Sequence, residues 1–175
     1  EGWKNPALGS LFAETRSALP FDHAAALAHL TRADAVLGKH IANVPFTFEL
    51  KRTDGVFAAL AEAIVYQQLN GRAAATIFGR VKALFPKGKL DAKKLLAMDE
   101  ASLRKAGLSA NKYKALRDLA ERTDRGEIPT LTQLAKMSDD EIVEALVKVR
   151  GIGRWTVEML LMFRLGRPDV FPIAD

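Results

Sequence analysis

The sequence contains no cysteine. That excludes disulfides, thiolate metal sites, an iron–sulfur cluster held by this chain and a cysteine nucleophile, and it leaves packing to hold the fold. No uninterrupted apolar run approaches the ~18 residues of a membrane span, and the first residues lack the basic-then-apolar layout of a signal peptide. Proline and glycine are not in excess, at 7 and 12 of 175 residues, and 49 % of the chain is apolar against 27 % charged. This is the composition of a soluble globular protein rather than a disordered one. The compartment expected is reducing and soluble, with no membrane partner.

The length of 175 residues fits one domain or two small lobes and is enough to bury a core without staples. With 26 Lys and Arg against 21 Asp and Glu, the formal charge is +5 and the pI about 9.6. Such an excess suits a polyanionic partner without demanding one.

Residues 1 to 21 read as an irregular arm, broken by Pro6, Gly9 and Pro20. Asp22 is a good N-cap for a helix through about Leu37, with Leu27, Leu30 and Leu37 on its apolar face and Gly38 as its stop. Val44 to Arg52 partly alternates and reads as an extended segment. From Asp54 the apolar spacing is helical through Phe57, Leu60, Ile64 and Leu69. Asn70-Gly71 interrupts it, and a second helix follows to Phe85, stopped by Pro86 and Gly88. The corner Gln67-Gln68-Leu69-Asn70 either ends a core stripe with solvated glutamines or presents Leu69 for a purpose.

Further on, Asp99 caps a helix ending at Gly107, and Ser109 caps one to about Thr123, whose Lys112, Lys114 and Arg117 read, with the preceding Lys105, as a solvated face. Thr130 with Gln133, and Ser138 with Glu141, fit capping boxes. The last of these helices carries Ile142, Leu146 and Val149 into Gly151-Ile152-Gly153, and a final helix follows with Trp155, Met159, Leu160 and Phe163 on an apolar stripe. Every long segment reads as helix, so the class is all-α. No repeat is evident, and the loop around Pro86 to Leu90 is the candidate boundary.

The Gly-Ile-Gly turn between two helices exposes backbone N–H groups beside a helix N-terminus, where anions bind. Arg154 and Thr156 follow and could share one phosphate, a contact that positions a backbone and reads no sequence. A lone pair of glycines also closes many ordinary helix turns.

In context the residues carry more. Gly151-Ile152-Gly153-Arg154-Trp155-Thr156, then Asp169-Val170-Phe171-Pro172-Ile173-Ala174-Asp175, preceded by Ala63-Ile64-Val65-Tyr66-Gln67-Gln68-Leu69, resemble the helix-hairpin-helix DNA glycosylase superfamily. The branch they look most like is the 3-methyladenine DNA glycosylase II type. The resemblance covers about residues 54 to 175, so residues 1–53 divide off as an arm, helix and extended segment packed on a glycosylase core of residues 54–175. It implies two helical lobes with the active site in the cleft between them, double-stranded DNA containing alkylated bases as partner, and a monomer that needs no cofactor.

Carried over residue by residue, the resemblance makes Asp175 the catalytic aspartate. A single carboxylate suffices in principle, because N-glycosidic cleavage passes through an oxocarbenium-like sugar that a nearby negative charge stabilises, and a cationic alkylated purine leaves without a strong general acid. Trp155 stands where bifunctional relatives hold a lysine, so no Schiff base and no strand cutting are expected. Trp155, Met159 and Tyr66 are the implied base pocket, with Met159 where some relatives have an aromatic; both Trp155 and Met159 also read as core. Leu69 matches the wedge that fills the gap left by a flipped base, beside Gln68. Asn70 replaces a more usual serine. Gly151, Gly153, Arg154 and Thr156 are the implied DNA contacts, and the backbone carbonyls of Val147, Val149 and Gly151 match positions that hold a structural monovalent cation in relatives. Relatives continue beyond the aspartate, so further sequence after Asp175 is expected. The alternative is a helix-hairpin-helix module that binds DNA without catalysis.

Overall fold

The computed structural model describes residues 19–44 and 49–173. Ten α-helices are found among them: α1 (His23–Ala33), α2 (Ala35–Asn43), α3 (Val56–Tyr66), α4 (Gly71–Ala83), α5 (Ala92–Leu96), α6 (Glu100–Lys105), α7 (Ala110–Asp124), α8 (Leu131–Leu134), α9 (Asp139–Leu146) and α10 (Arg154–Leu160). A 3-10 turn, Pro86–Gly88, follows α4, and α10 runs on into a π turn, Leu161–Leu165. No strand occurs among the described residues, so the chain is all-α.

The starts of these helices are written locally. Asp22, Asn70, Asp99 and Ser109 each accept a backbone N–H three residues on, which satisfies one of the donors that a helix leaves unpaired. Both expected capping boxes form, at Thr130 with Gln133 and at Ser138 with Glu141. Two helices begin on glycine without a side-chain cap, α3 at Gly55 and α10 at Gly153.

The core is organised around α3, whose Leu60, Ile64 and Val65 are fully buried. It packs against α4, α7 and α10, while α5 lies on α7 and α9 on α10. From the other elements Leu95, Leu103, Leu116, Leu119, Leu134, Ile142, Leu146 and Leu161 complete the same apolar cluster. Each such side chain removed from water contributes roughly 1.5–3 kcal/mol before entropy is counted.

Several expectations need correction. The single helix from Asp22 to Leu37 is two helices, because Asp34 leaves the helical region and its carboxylate caps α2 through Val36 and Leu37 N–H. Gly38 is therefore inside α2 and not a stop; a Cβ there would come within 2.9 Å of the Thr31 carbonyl oxygen, so glycine permits α1 and α2 to approach. Leu30 and Leu37 are largely exposed. The helix α5, capped by Asp91, was not expected at all. Val149 is buried in the turn after α9, which ends at Leu146. Of the face read as solvated on α7, Lys112 and Arg117 are half-buried and bonded to backbone carbonyls of other elements. The arm before residue 19 and Phe46 and Phe48 of the extended segment lie outside the described residues.

Candidate active site

α9 and α10 meet at a hairpin whose turn is Val147 to Gly153. Gly151 takes φ +79°, a left-handed conformation that an L side chain adopts only at a cost, and this reverses the chain. The turn is tied from outside. Asp118 on α7 accepts the Arg150 N–H at 2.7 Å and is itself held by the Arg122 guanidinium. Val149 N–H and Ile152 N–H bond back to Leu146 and Val149 carbonyls. Since Gly153 offers no side chain, the N-terminus of α10 is left without a side-chain cap.

The second element is the corner between α3 and α4. Gln68 has φ +56°, an uncommon conformation for a residue with a Cβ, and it turns the chain so that Leu69 stands out, 38 % exposed. Asn70 caps α4 at 2.9 Å. The glutamines do not both face water. Gln67 Nε2 donates to the Gly151 carbonyl at 2.8 Å, joining this corner to the hairpin across 84 residues of sequence. Lys112 then fixes the corner from α7, its ammonium donating to the Val65 and Gln67 carbonyls at 2.7 and 2.8 Å. These carbonyls end α3, where the helix dipole favours a cation. Burial lowers the Lys112 pKa below its usual value.

Between α3 and α10 lies a cleft of about 270 Å³. Tyr66 and Met159 line it, as does Phe163, which the π turn displaces from a regular helical position. The Tyr66 ring meets Phe78 edge-on at 6.1 Å. Three charged groups share the same wall. Glu62 accepts Lys51 Nζ on one oxygen and Arg164 on the other, at 2.5 and 2.6 Å, and the Lys51 ammonium stands 5.5 Å over the Tyr66 ring. Burial alone would raise the Glu62 pKa, but the hydrogen bonds and charges of Lys51 and Arg164 outweigh it and hold the carboxyl below its ordinary 4.5.

The structure thus brings Tyr66 and Met159 together in one cleft, with Gln67, Gln68 and Leu69 immediately beyond it and Gly151 bonded to that corner. Trp155 does not line the cleft; it is 43 % exposed on the first turn of α10, so neither it nor the exposed Phe163 belongs to the core stripe. Thr156 is buried, at 8 % exposure, and lines the cleft. Arg154 is exposed but paired with Glu158 and Asp140 at 3.0 and 3.4 Å. Val147 is partly exposed and Val149 buried. Asp175 lies outside the described residues. Lys51, Glu62, Arg164 and Lys112 had no sequence signal beyond their charge, because their partners lie 11 or more residues away, and the spacing of Asp118 with Arg122 reads as an ordinary helix pair that gives no hint of the bond to Arg150.

Comparison with known proteins agrees with this geometry. Residues 61–175 match the model of the HhH-GPD superfamily base excision DNA repair proteins. The chain belongs to that family. It is 41 % identical over 120 residues to DNA-3-methyladenine glycosylase 1 of Schizosaccharomyces pombe, covering 68 % of this chain and 53 % of that protein. A solved structure of the Schizosaccharomyces pombe 3-methyladenine DNA glycosylase in complex with abasic DNA superimposes with a TM-score of 0.74 at 36 % identity, covering 86 % of this chain and 75 % of that one. The DNA-3-methyladenine glycosidase of Bacillus halodurans gives 0.76 at 32 % identity, with 85 % and 68 % covered. The chain spans about half the length of the curated relatives it matches.

Proposed function

We propose that this chain is the core of a DNA-3-methyladenine glycosylase, which flips an alkylated purine out of duplex DNA and hydrolyses its N-glycosidic bond. The observation that carries the reading is the hydrogen bond from Gln67 to the Gly151 carbonyl. It sets the corner bearing Leu69 and the hairpin at a fixed spacing, beside a cleft lined by Tyr66 and Met159. A phosphate on the hairpin, an apolar plug in the vacated stack and a pocket for the extruded base are the three contacts that base flipping needs.

Asp175 supplies the carboxylate that stabilises the oxocarbenium-like sugar. Trp155 is no amine, so the strand stays intact after base release. The duplex lies along Gly151, Gly153 and Arg154, with Gln68 beside the wedge. Arg154 must exchange its carboxylate partners for phosphate, and the exposed Lys148 and Arg150 add charge on the same turn. Among the described residues no cluster of His, Asp or Glu could hold a metal. A monovalent cation on the Val147, Val149 and Gly151 carbonyls fits the donor chemistry. The Val149 carbonyl accepts Ile152 N–H and the Gly151 carbonyl accepts Gln67, yet each keeps a second lone pair. Such an ion would supply positive charge beside the phosphate. No described helix is long and apolar enough to cross a membrane. The protein works where DNA is, in the nucleoid or the nucleus.

The test is mass spectrometry of bases released from methylated duplex DNA by the full gene product. The expected result is release of methylated purines, abolished by Asp175→Asn with duplex affinity retained, and strand breaks only after alkali. Binding without release would instead identify a non-catalytic helix-hairpin-helix module.

A further inference from the structure

Three charged side chains, Lys51, Glu62 and Arg164, line the cleft. Arg164 is fixed on Glu62: its side chain is 10 % exposed, bonds to the carboxylate and also reaches the Arg52 carbonyl. Lys51 is different. Its side chain is 58 % exposed, and its ammonium is held by the same Glu62 carboxylate and by the face of Tyr66. A cation above an aromatic ring with a carboxylate beside it is a recognition arrangement for positive charge. Here the cation comes from the protein's own side chain.

We propose that Lys51 is an internal stand-in for the base, occupying the cation position of the cleft when no base is bound, and that Glu62 with Tyr66 selects purines carrying positive charge. The inference rests on the glycosylase reading and adds to it the residues that set lesion preference. A base bearing delocalised positive charge can take over both partners as Lys51 swings into water, and a half-exposed ion pair costs little to break. A neutral base offers Glu62 nothing in return. Lys51 then stays on Glu62, and the neutral base binds beside that pair without displacing it. Arg164 is fixed and keeps Glu62 ionised and aimed into the cleft throughout.

The test compares single-turnover release of cationic 7-methylguanine and of neutral hypoxanthine from otherwise identical duplexes. In Lys51→Met, where a cationic base no longer has to displace an ion pair, the ratio of cationic to neutral release should rise, by up to about fivefold for a pair worth ~1 kcal/mol. In Glu62→Gln it should fall by a similar factor while hypoxanthine release persists. Because Glu62→Gln leaves Arg164 without its partner, its folding is checked by thermal melting, and Lys51→Met decides the matter if that variant is unfolded. An unchanged ratio in Lys51→Met overturns the proposal. Release and recognition are separated by titrating the free nucleosides, cationic N1-methyladenosine and neutral adenosine, against the protein by NMR. Preference for the cation, strengthened in Lys51→Met, without base release from DNA would refute the glycosylase reading and keep this one. Release without any such preference would do the reverse.

Discussion

Replacing Lys112 by Met tests whether the corner that bears Leu69 is held from α7. The substitution keeps the length of the stem and removes an ammonium that donates to the Val65 and Gln67 carbonyls at 2.7 and 2.8 Å. Hydrogen bonds to a charged group contribute about 1.5–3 kcal/mol each. Against them stand the desolvation of the ammonium, whose direction is visible in its lowered pKa, and the ~2 kcal/mol of rotamer entropy lost by ordering a lysine. The net destabilisation expected is about 1–2 kcal/mol, or a fall in Tm of roughly 2–8 °C for a domain of this size. Function should suffer beyond stability, because Gln67 is bonded on one side to Lys112 and on the other to Gly151. With the corner loosened, Leu69 is no longer delivered at a fixed distance from the hairpin, and a misplacement worth ~1.4 kcal/mol would slow single-turnover base release about tenfold. Duplex affinity, assigned above to the hairpin, should change by less than about threefold. Lys114→Met, an exposed neighbour on the same helix, is the control and should alter neither quantity. An unchanged Tm would refute the energetic argument, and a lowered Tm with normal base release would refute the link to the wedge.

Two further outcomes follow from individual residues. The folded pKa of Glu62 is held below 4.5, so its stabilisation is fully present above that value and is lost as pH falls through the lower folded pKa. Calorimetry from pH 6 to pH 3 should therefore show a steeper loss of Tm below about pH 4.5 in the wild type than in Glu62→Gln, and parallel curves would contradict the pairing. At Gly151, alanine would meet only the Ala115 side chain at 3.5 Å, an ordinary contact, so its cost is torsional, about 1–2 kcal/mol for φ +79°. Gly151→Ala should lower both Tm and duplex affinity; Gly71→Ala, in open space at the start of α4, should leave Tm equal or higher, and a fall there would undermine the distinction.

What was legible in the sequence divides by the distance between partners. A cap joins residues two or three apart, so Asp22, Asn70, Asp99, Ser109 and both capping boxes could be read directly. The 3.6-residue period located α3, α4, α7 and α9 for the same reason. α5 escaped because five residues are too few to display a period, and the break at Asp34 was hidden because Leu30 and Leu37 look like one apolar face that in fact stays largely exposed. The stripe from Trp155 to Phe163 was read as core because helical spacing was extrapolated through Leu161, where the chain enters a π turn.

The residues that the sequence could not connect are those that fix the corner and build the charged wall of the cleft. Lys112 reaches carbonyls 45 and 47 positions away, and Arg164 meets Glu62 across 102. Neither pair has a spacing to betray it. The glycine turn and Trp155, by contrast, form an uninterrupted motif because backbone reversal, helix start and the missing lysine all occur within a few residues. This is why the family could be recognised from the chain while the preference for a lesion could not. The hairpin is a local device, whereas the wall of the cleft is assembled from three segments, Lys51 before α3, Glu62 within it and Arg164 after α10. If the proposed role of Lys51 holds, substitutions in those segments should change which base is accepted without disturbing a single residue of the motif, and the cationic and neutral lesions offered to Lys51→Met measure that independence directly.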